Sequence, residues 1–372
     1  MLRSFVLIAL LFVNAAVRAD SVERIVDDAV AAPLREHRFS GVVLVAKDGR
    51  VLVRKAYGLA DRESGIANTP STPFMIMSVS KQFTAALILR LAAQGRLSVD
   101  DRVSVYLPDW PLQWDDVRIR HLLSHSAGTD IDTTYFWLIA QYPEYWAGDL
   151  SERPPYEPKA LLSKPEQTFL YSNVGYTILS RIASIAGGRP FDALMRNEVF
   201  CPLGMRDTVP ERGEVIHGRA RGHHRTGDTL VLTEQGTVDI VGAGDLVSTV
   251  DDLARWDEAL HDDQFLPASL RTAMLTTYVS GKLGEVGYGW FFRTTVDGHR
   301  LQFHSGSGAG FRAFNFREES LRLSVIVLSN VDEADAAWVR AMVDRITTEV
   351  ARADMLRCEH HPQNSMAERD RS

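Results

Sequence analysis

The chain is poor in cysteine, poor in lysine and short of long apolar runs. Two cysteines in 372 residues, Cys201 and Cys358, exclude a disulfide-stapled scaffold. Cys201 precedes a Pro202-Leu203-Gly204-Met205 turn and Cys358 stands in a polar tail, so both are read as unpaired. With the His360-His361 pair they are too few donors for a metal site, and none is assigned. Net charge is −7 with no basic stripe, which argues against a nucleic-acid partner. A 45% hydrophobic content with 26 Gly and 15 Pro excludes collagen-like and disordered chains. Only six of the 41 basic residues are lysine, so each lysine carries more information than usual.

What apolar run there is comes first. Met1-Leu2-Arg3, the stretch from Phe5 to Val13 and a small residue at Ala19 have the pattern of a secretory signal peptide, residues 1–19, cut before Asp20. The run is about half of the roughly 20 residues needed to span a bilayer. The expectation is a mature protein free of the membrane, in a periplasm or secreted, with one catalytic unit over 20–356 and a disordered polar tail over 357–372.

Residues 21–37 have amphipathic helical spacing, and Gly41 to Ala46 and Val51 to Val53 flank Asp48-Gly49 as a hairpin. From about 79 to 94 the sequence is apolar nearly all round and ends at Gly95, the pattern of a helix in the middle of a core. The middle of the chain is largely helical, with aromatics at Tyr135-Phe136-Trp137 and Tyr142 to Trp146 expected to rim a cleft. Strand signals return at 289–295, 300–304, 311–316 and 321–328, followed by a helix striped with Val339, Met342, Val343, Ile346 and Val350. The two ends supply sheet and flanking helices. The simplest fold is α/β and two-lobed, the second lobe mostly helical, with a cleft between.

Ser78 and Lys81 stand three apart where a loop enters the apolar helix, which puts hydroxyl and amine on one face of its first turn. A serine hydroxyl needs an adjacent base, and lysine becomes one only when its pKa falls. An apolar setting and a helix N-terminus both act in that direction. With six lysines and 26 serines, about 0.4 such pairs is expected by chance, so placement rather than spacing singles this one out. Tyr171-Ser172-Asn173 offers a phenol to relay a proton and an amide to hold the lysine; the same triplet also reads as a helix cap. His304-Ser305-Gly306-Ser307 closes a strand, with a titratable imidazole and glycine for close substrate approach, or is a plain hairpin loop. A backbone N–H after Gly306 could join that of Ser78 in holding an oxyanion. His121 and His125, four apart, lack a third ligand and are read as structural.

These clusters, with His121 to Gly128, Gly242 to Thr249 and Gly287-Tyr288-Gly289-Trp290, resemble the β-lactamase-related serine hydrolases over roughly residues 25–350. The branch is that of class C β-lactamases, penicillin-binding-protein-like peptidases and esterases. The resemblance implies an antiparallel sheet flanked by helices beside a helical lobe. It implies Ser78 as acylated nucleophile, Lys81 as base, Tyr171 as proton carrier and Asn173 as orienting amide. The N–H groups of Ser78 and Ser307 would form the oxyanion hole, His304 would act in catalysis, and Ser305, Gly306 and Arg312 would bind substrate. No cofactor is implied, and the partner is a small ester, amide or peptide. One departure stands out: class C enzymes carry Lys-Thr-Gly where this chain has His304-Ser305-Gly306, which weakens the anchor for a β-lactam carboxylate unless Arg312 replaces it. An esterase or D-amino-acid peptidase or amidase is therefore favoured. The alternatives are a class C type β-lactamase, an acylated penicillin-binding sensor, or a scaffold without covalent chemistry.

Overall fold

The computed structural model describes residues 2–129, 134, 137–138, 141, 159–227, 229–233, 240–282, 284–332 and 335–360, with no side-chain detail for 2–18 and 356–360. Most of the aromatic stretch expected at the cleft rim, including Tyr135, Phe136 and 142–146, lies outside the described residues. Trp137, from the same stretch, is buried in the core against Trp110, with ring centroids 4.7 Å apart.

Eight antiparallel strands form the main sheet: β1 (Gly41–Lys47), β2 (Arg50–Tyr57), β3 (Val279–Gly281), β4 (Gly284–Val286), β5 (Phe291–Thr294), β6 (Arg300–Gly308), β7 (Phe311–Glu318) and β8 (Leu323–Ser329). Their spatial order is β3-β4-β5-β6-β7-β8-β1-β2. The N-terminal hairpin thus completes a sheet begun by the C-terminal half, with Gly41 to Lys47 running against Ser329 to Leu323. β1 is buried along its whole length because both faces are covered. Val43 and Val45 join Val22, Val26, Val343 and Ile346 beneath the terminal helices α1 (Leu2–Arg35) and α5 (Ala337–His360). Val42 and Leu44 point the other way, into the core of the helical side. Successive side chains of a strand point to opposite faces, so an apolar run feeds both cores. Helix α5 runs through Cys358 to His360, into the segment expected to be a disordered tail. Among the described residues no helix is long and apolar enough to cross a membrane.

Helix α2 (Ser80–Ala93) is the pillar of the second core, with Ser80 to Leu89 and Leu91 all buried. Its end is fixed by local chemistry. Gly95 takes φ +69°, its N–H donates to the Ala92 carbonyl, and the Arg96 N–H donates to that of Leu91. This paired closure needs the left-handed conformation that glycine adopts without cost. Gln82 ties the helix laterally: its side-chain oxygen accepts from Trp256 Nε1 at 3.0 Å, on α4 (Val250–Ala259), and from Asn315 Nδ2 at 3.2 Å, on β7. The residue after Lys81 is thus locked to both the sheet and a neighbouring helix. Helix α3 (Asn173–Gly187) begins at Ser172, whose Oγ accepts from the Gly175 N–H at 2.9 Å.

Candidate active site

The first turn of α2, the start of α3 and the end of β6 meet at one place. Lys81, with no exposed surface, makes three contacts through Nζ: 3.1 Å to Ser78 Oγ, 2.7 Å to Asn173 Oδ1 and 2.7 Å to the Ala243 carbonyl. Desolvation lowers its pKa well below the ordinary lysine range. The acid acting against this shift, Asp245, is itself buried and paired with Arg212 at 2.7 Å. A neutral amine has two hydrogens and one lone pair. Asn173 and Ala243 each offer only a carbonyl oxygen toward it, so they take the hydrogens and the lone pair is left to Ser78.

Ser78 itself is only partly buried, so a substrate can reach its hydroxyl. The residue before it, Met77, is held at φ +48°, a conformation rare for a bulky side chain and one that turns the chain sharply into the helix. The Tyr171 ring centroid lies 4.9 Å from Lys81 Nζ. Burial pushes its phenol up to about 12, so it carries its proton at neutral pH. Ser172 caps helix α3, and the residues on either side of it, Tyr171 and Asn173, both reach the lysine. The cap and the chemistry of this triplet are two properties of one turn.

β6 supplies the opposite wall. Its pairing with β5 stops at Phe303, so from His304 to Gly308 it is bonded on one side only, to β7. Among the described residues no strand covers that free edge. Gly306 approaches Ser78 so closely that a Cβ there would sit 2.9 Å from the Ser78 nitrogen and 2.8 Å from the Met77 side chain. The neighbouring Ser307 is exposed, and its hydroxyl donates to Asp332 at 3.0 Å. Ser305 pairs in register with Phe314, and its carbonyl lies 2.8 Å from His304 Nδ1. A carbonyl only accepts, so Nδ1 carries the hydrogen and Nε2 is left with a lone pair. Burial and the lysine push His304 down to about 3, which keeps it neutral. Arg312, the substitute carboxylate anchor suggested by sequence, is ion-paired to Asp332 at 2.9 Å.

Sequence reasoning missed two members of this site. The Ala243 carbonyl is backbone: the segment Gly242 to Thr249 carries part of the resemblance, but no side chain in it marks this carbonyl as a partner of Lys81. His121 and His125, both read from the sequence as structural, do not share a face, because the helical turn Ile119–Leu123 ends before His125. His121 accepts the Arg118 N–H and contacts Glu166, whereas the His125 ring lies 4.5 Å from that of Tyr171. Among the described residues no three His, Cys, Asp or Glu side chains converge as metal ligands.

The sequence profile of the family described as Beta-lactamase matches residues 22–348. The chain belongs to the Beta-lactamase family. Within that family it is similar to a Bacillus subtilis penicillin-binding protein, at 29% identity over 83% of this chain and 71% of that protein. A Gluconobacter oxydans D-aminopeptidase is 28% identical over 84% of this chain, which spans only 60% of the peptidase's length. The octameric penicillin-binding protein homologue from Pyrococcus abyssi superposes with a TM-score of 0.70 at 25% identity, over 84% of this chain and 73% of that one. The Beta-lactamase fold of an antiparallel sheet beside a helical lobe is thus shared, and with it membership of a superfamily of serine hydrolases.

Proposed function

We propose that this is an exported serine hydrolase that cleaves a small ester or amide through an acyl-enzyme on Ser78, acting as an esterase or as a D-amino-acid peptidase or amidase. The observation that carries the reading is the buried Lys81 amine, held by two carbonyl oxygens with Ser78 Oγ 3.1 Å away. In acylation the Ser78 proton passes to Lys81 Nζ while Oγ bonds to the substrate carbonyl carbon. The developing oxyanion is held by the N–H groups of Ser78 and Ser307. The C–O or C–N bond then breaks, and the leaving group takes a proton from Tyr171, which is refilled from Lys81. In the second half water attacks the acyl carbon, its proton moves into the same Tyr171–Lys81 pair, and Ser78 leaves as the hydroxyl. Tyr171 enters as a protonated phenol, so it transfers a proton that Lys81 accepts and returns. Ser78→Ala should reduce turnover of p-nitrophenyl acetate to the uncatalysed background with an unchanged melting midpoint. Retention of wild-type turnover would place the nucleophile elsewhere.

His304 supports the choice of substrate class. A buried, neutral imidazole offers no positive charge to a substrate carboxylate, and Arg312 is already engaged by Asp332. Penicillins carry such a carboxylate; short esters and amino-acid amides do not. His304→Lys should therefore raise the rate constant for acylation by benzylpenicillin by about tenfold or more, since a charge-assisted hydrogen bond contributes roughly 1.5–3 kcal/mol. An unchanged rate in stopped-flow acylation would show that the missing cation is not what limits β-lactam chemistry here.

A further inference from the structure

His125 grips the chain on both sides of Tyr171. Its backbone carbonyl accepts the Leu170 N–H at 2.8 Å, and its ring Nδ1 accepts the Ser172 N–H at 3.1 Å. Between those two bonds the imidazole lies against the Tyr171 ring, centroids 4.5 Å apart at 33°. The histidine is 3% exposed and held in place by Tyr176, with ring centroids 5.0 Å apart, and by Phe169 at 6.0 Å. Its backbone is at φ +55°, so the ring is presented from a tight left-handed turn rather than from a helix face. Because Nδ1 accepts, the hydrogen sits on Nε2, which has no hydrogen-bond partner among the described residues.

From this clamp we infer that His125 is a positioning residue: it fixes the Tyr171 phenol over Lys81 and Ser78. The inference rests on the reading of Tyr171 as the proton carrier. His125 moves no proton itself. Burial, with the lysine and His304 nearby, holds its pKa well below the ordinary histidine range, so it remains a neutral acceptor through the working pH range. The backbone bonds at Leu170 and Ser172 leave Tyr171 little room to pivot, and a displacement of about 1 Å of a group that transfers protons can cost on the order of 100-fold.

Two substitutions separate the parts of the clamp. In His125→Asn, the amide oxygen occupies the position of Nδ1 and asparagine tolerates a positive φ, so the bond to Ser172 is kept and only the stacking is lost. In His125→Gly both are lost, at no backbone strain. With p-nitrophenyl acetate, His125→Gly should lower kcat by about 10- to 100-fold with KM changed by less than about twofold, and His125→Asn should recover most of that loss. In a Tyr171→Phe background, already impaired, His125→Gly should change kcat by less than about twofold, because it acts through the phenol. If the glycine variant does not fold, the asparagine variant carries the same comparison, and its smaller loss must vanish in Tyr171→Phe. Equal losses with and without the phenol, or full kcat in His125→Gly, would overturn the positioning role while leaving the Tyr171 reading intact. A fully active Tyr171→Phe would instead overturn the Tyr171 reading, and the inference with it.

Discussion

Lys81→Met should lose at least about 10³-fold in kcat/KM for an uncharged ester, within the range attributed to a positioned general base. Methionine fills nearly the same volume, so the loss isolates the amine. Lys81→Arg should be as inactive, because a guanidinium has no lone pair to accept the Ser78 proton at any working pH. A small effect of either substitution would mean that another group deprotonates Ser78. Stability should respond with a definite sign. The folded-state pKa of Lys81 lies below its unfolded value of about 10.4, so between those two values the unfolded chain binds more protons than the folded one. Wild-type stability therefore gains up to about 1.4 kcal/mol per pH unit from this group as pH rises through that window, and Lys81→Met lacks the gain. Urea unfolding at pH 7 and pH 9.5 should show the wild type improving relative to the variant at the higher pH. A constant difference would mean that the lysine is charged in the folded protein.

Gly306→Ala should also be severely impaired. The new methyl would meet the Ile76 carbonyl, the Met77 side chain and the Ser78 nitrogen together. Two of these contacts are with backbone, which cannot rotate aside, so β6 must move away from the helix start. That shift separates the Ser78 and Ser307 N–H groups, the proposed oxyanion donors. Loss of one such donor costs on the order of 10²- to 10³-fold in kcat, and a comparable loss is expected here with KM changed far less. Because a hydroxyl beside a deprotonated lysine remains reactive without those donors, slow fluorophosphonate labelling of Ser78 should persist in Gly306→Ala. Loss of labelling together with a collapsed melting transition would point to unfolding rather than to a damaged oxyanion hole.

The parts of this site that were legible in the sequence are those written in side chains close together along the chain. Ser78 and Lys81 share one helical turn, and the apolar run after them announces a helix without a solvent face. The β-rich runs Gly41 to Ala46 and Val51 to Val53 on either side of the Asp48-Gly49 turn give the first hairpin. Pairing of β1 with β8 was beyond pattern reading, because it joins residues nearly 290 positions apart and leaves no local mark. The short strands β3 and β4 were missed for a related reason: three residues each are too few to show a period. Tyr171-Ser172-Asn173 reads both as a cap and as a lysine-holding group because the structure has Ser172 cap α3 while Tyr171 and Asn173 reach Lys81. His121 and His125 are read as structural, and their spacing of four does not show that only His125 lies against Tyr171, because the helix stops at Leu123 and turns the two apart. The Ala243 carbonyl could not have been found, since every residue has one and only the fold decides which is aimed at a lysine.

The most direct test of a neutral Lys81 activating Ser78 is the rate of covalent labelling by a fluorophosphonate as a function of pH, with the modified peptide identified by mass spectrometry. The label should fall on Ser78, at a rate that reaches its plateau well below the ordinary lysine range and that disappears in Lys81→Arg. Labelling on another residue, or a Ser78 rate that still climbs through pH 10, would contradict the account.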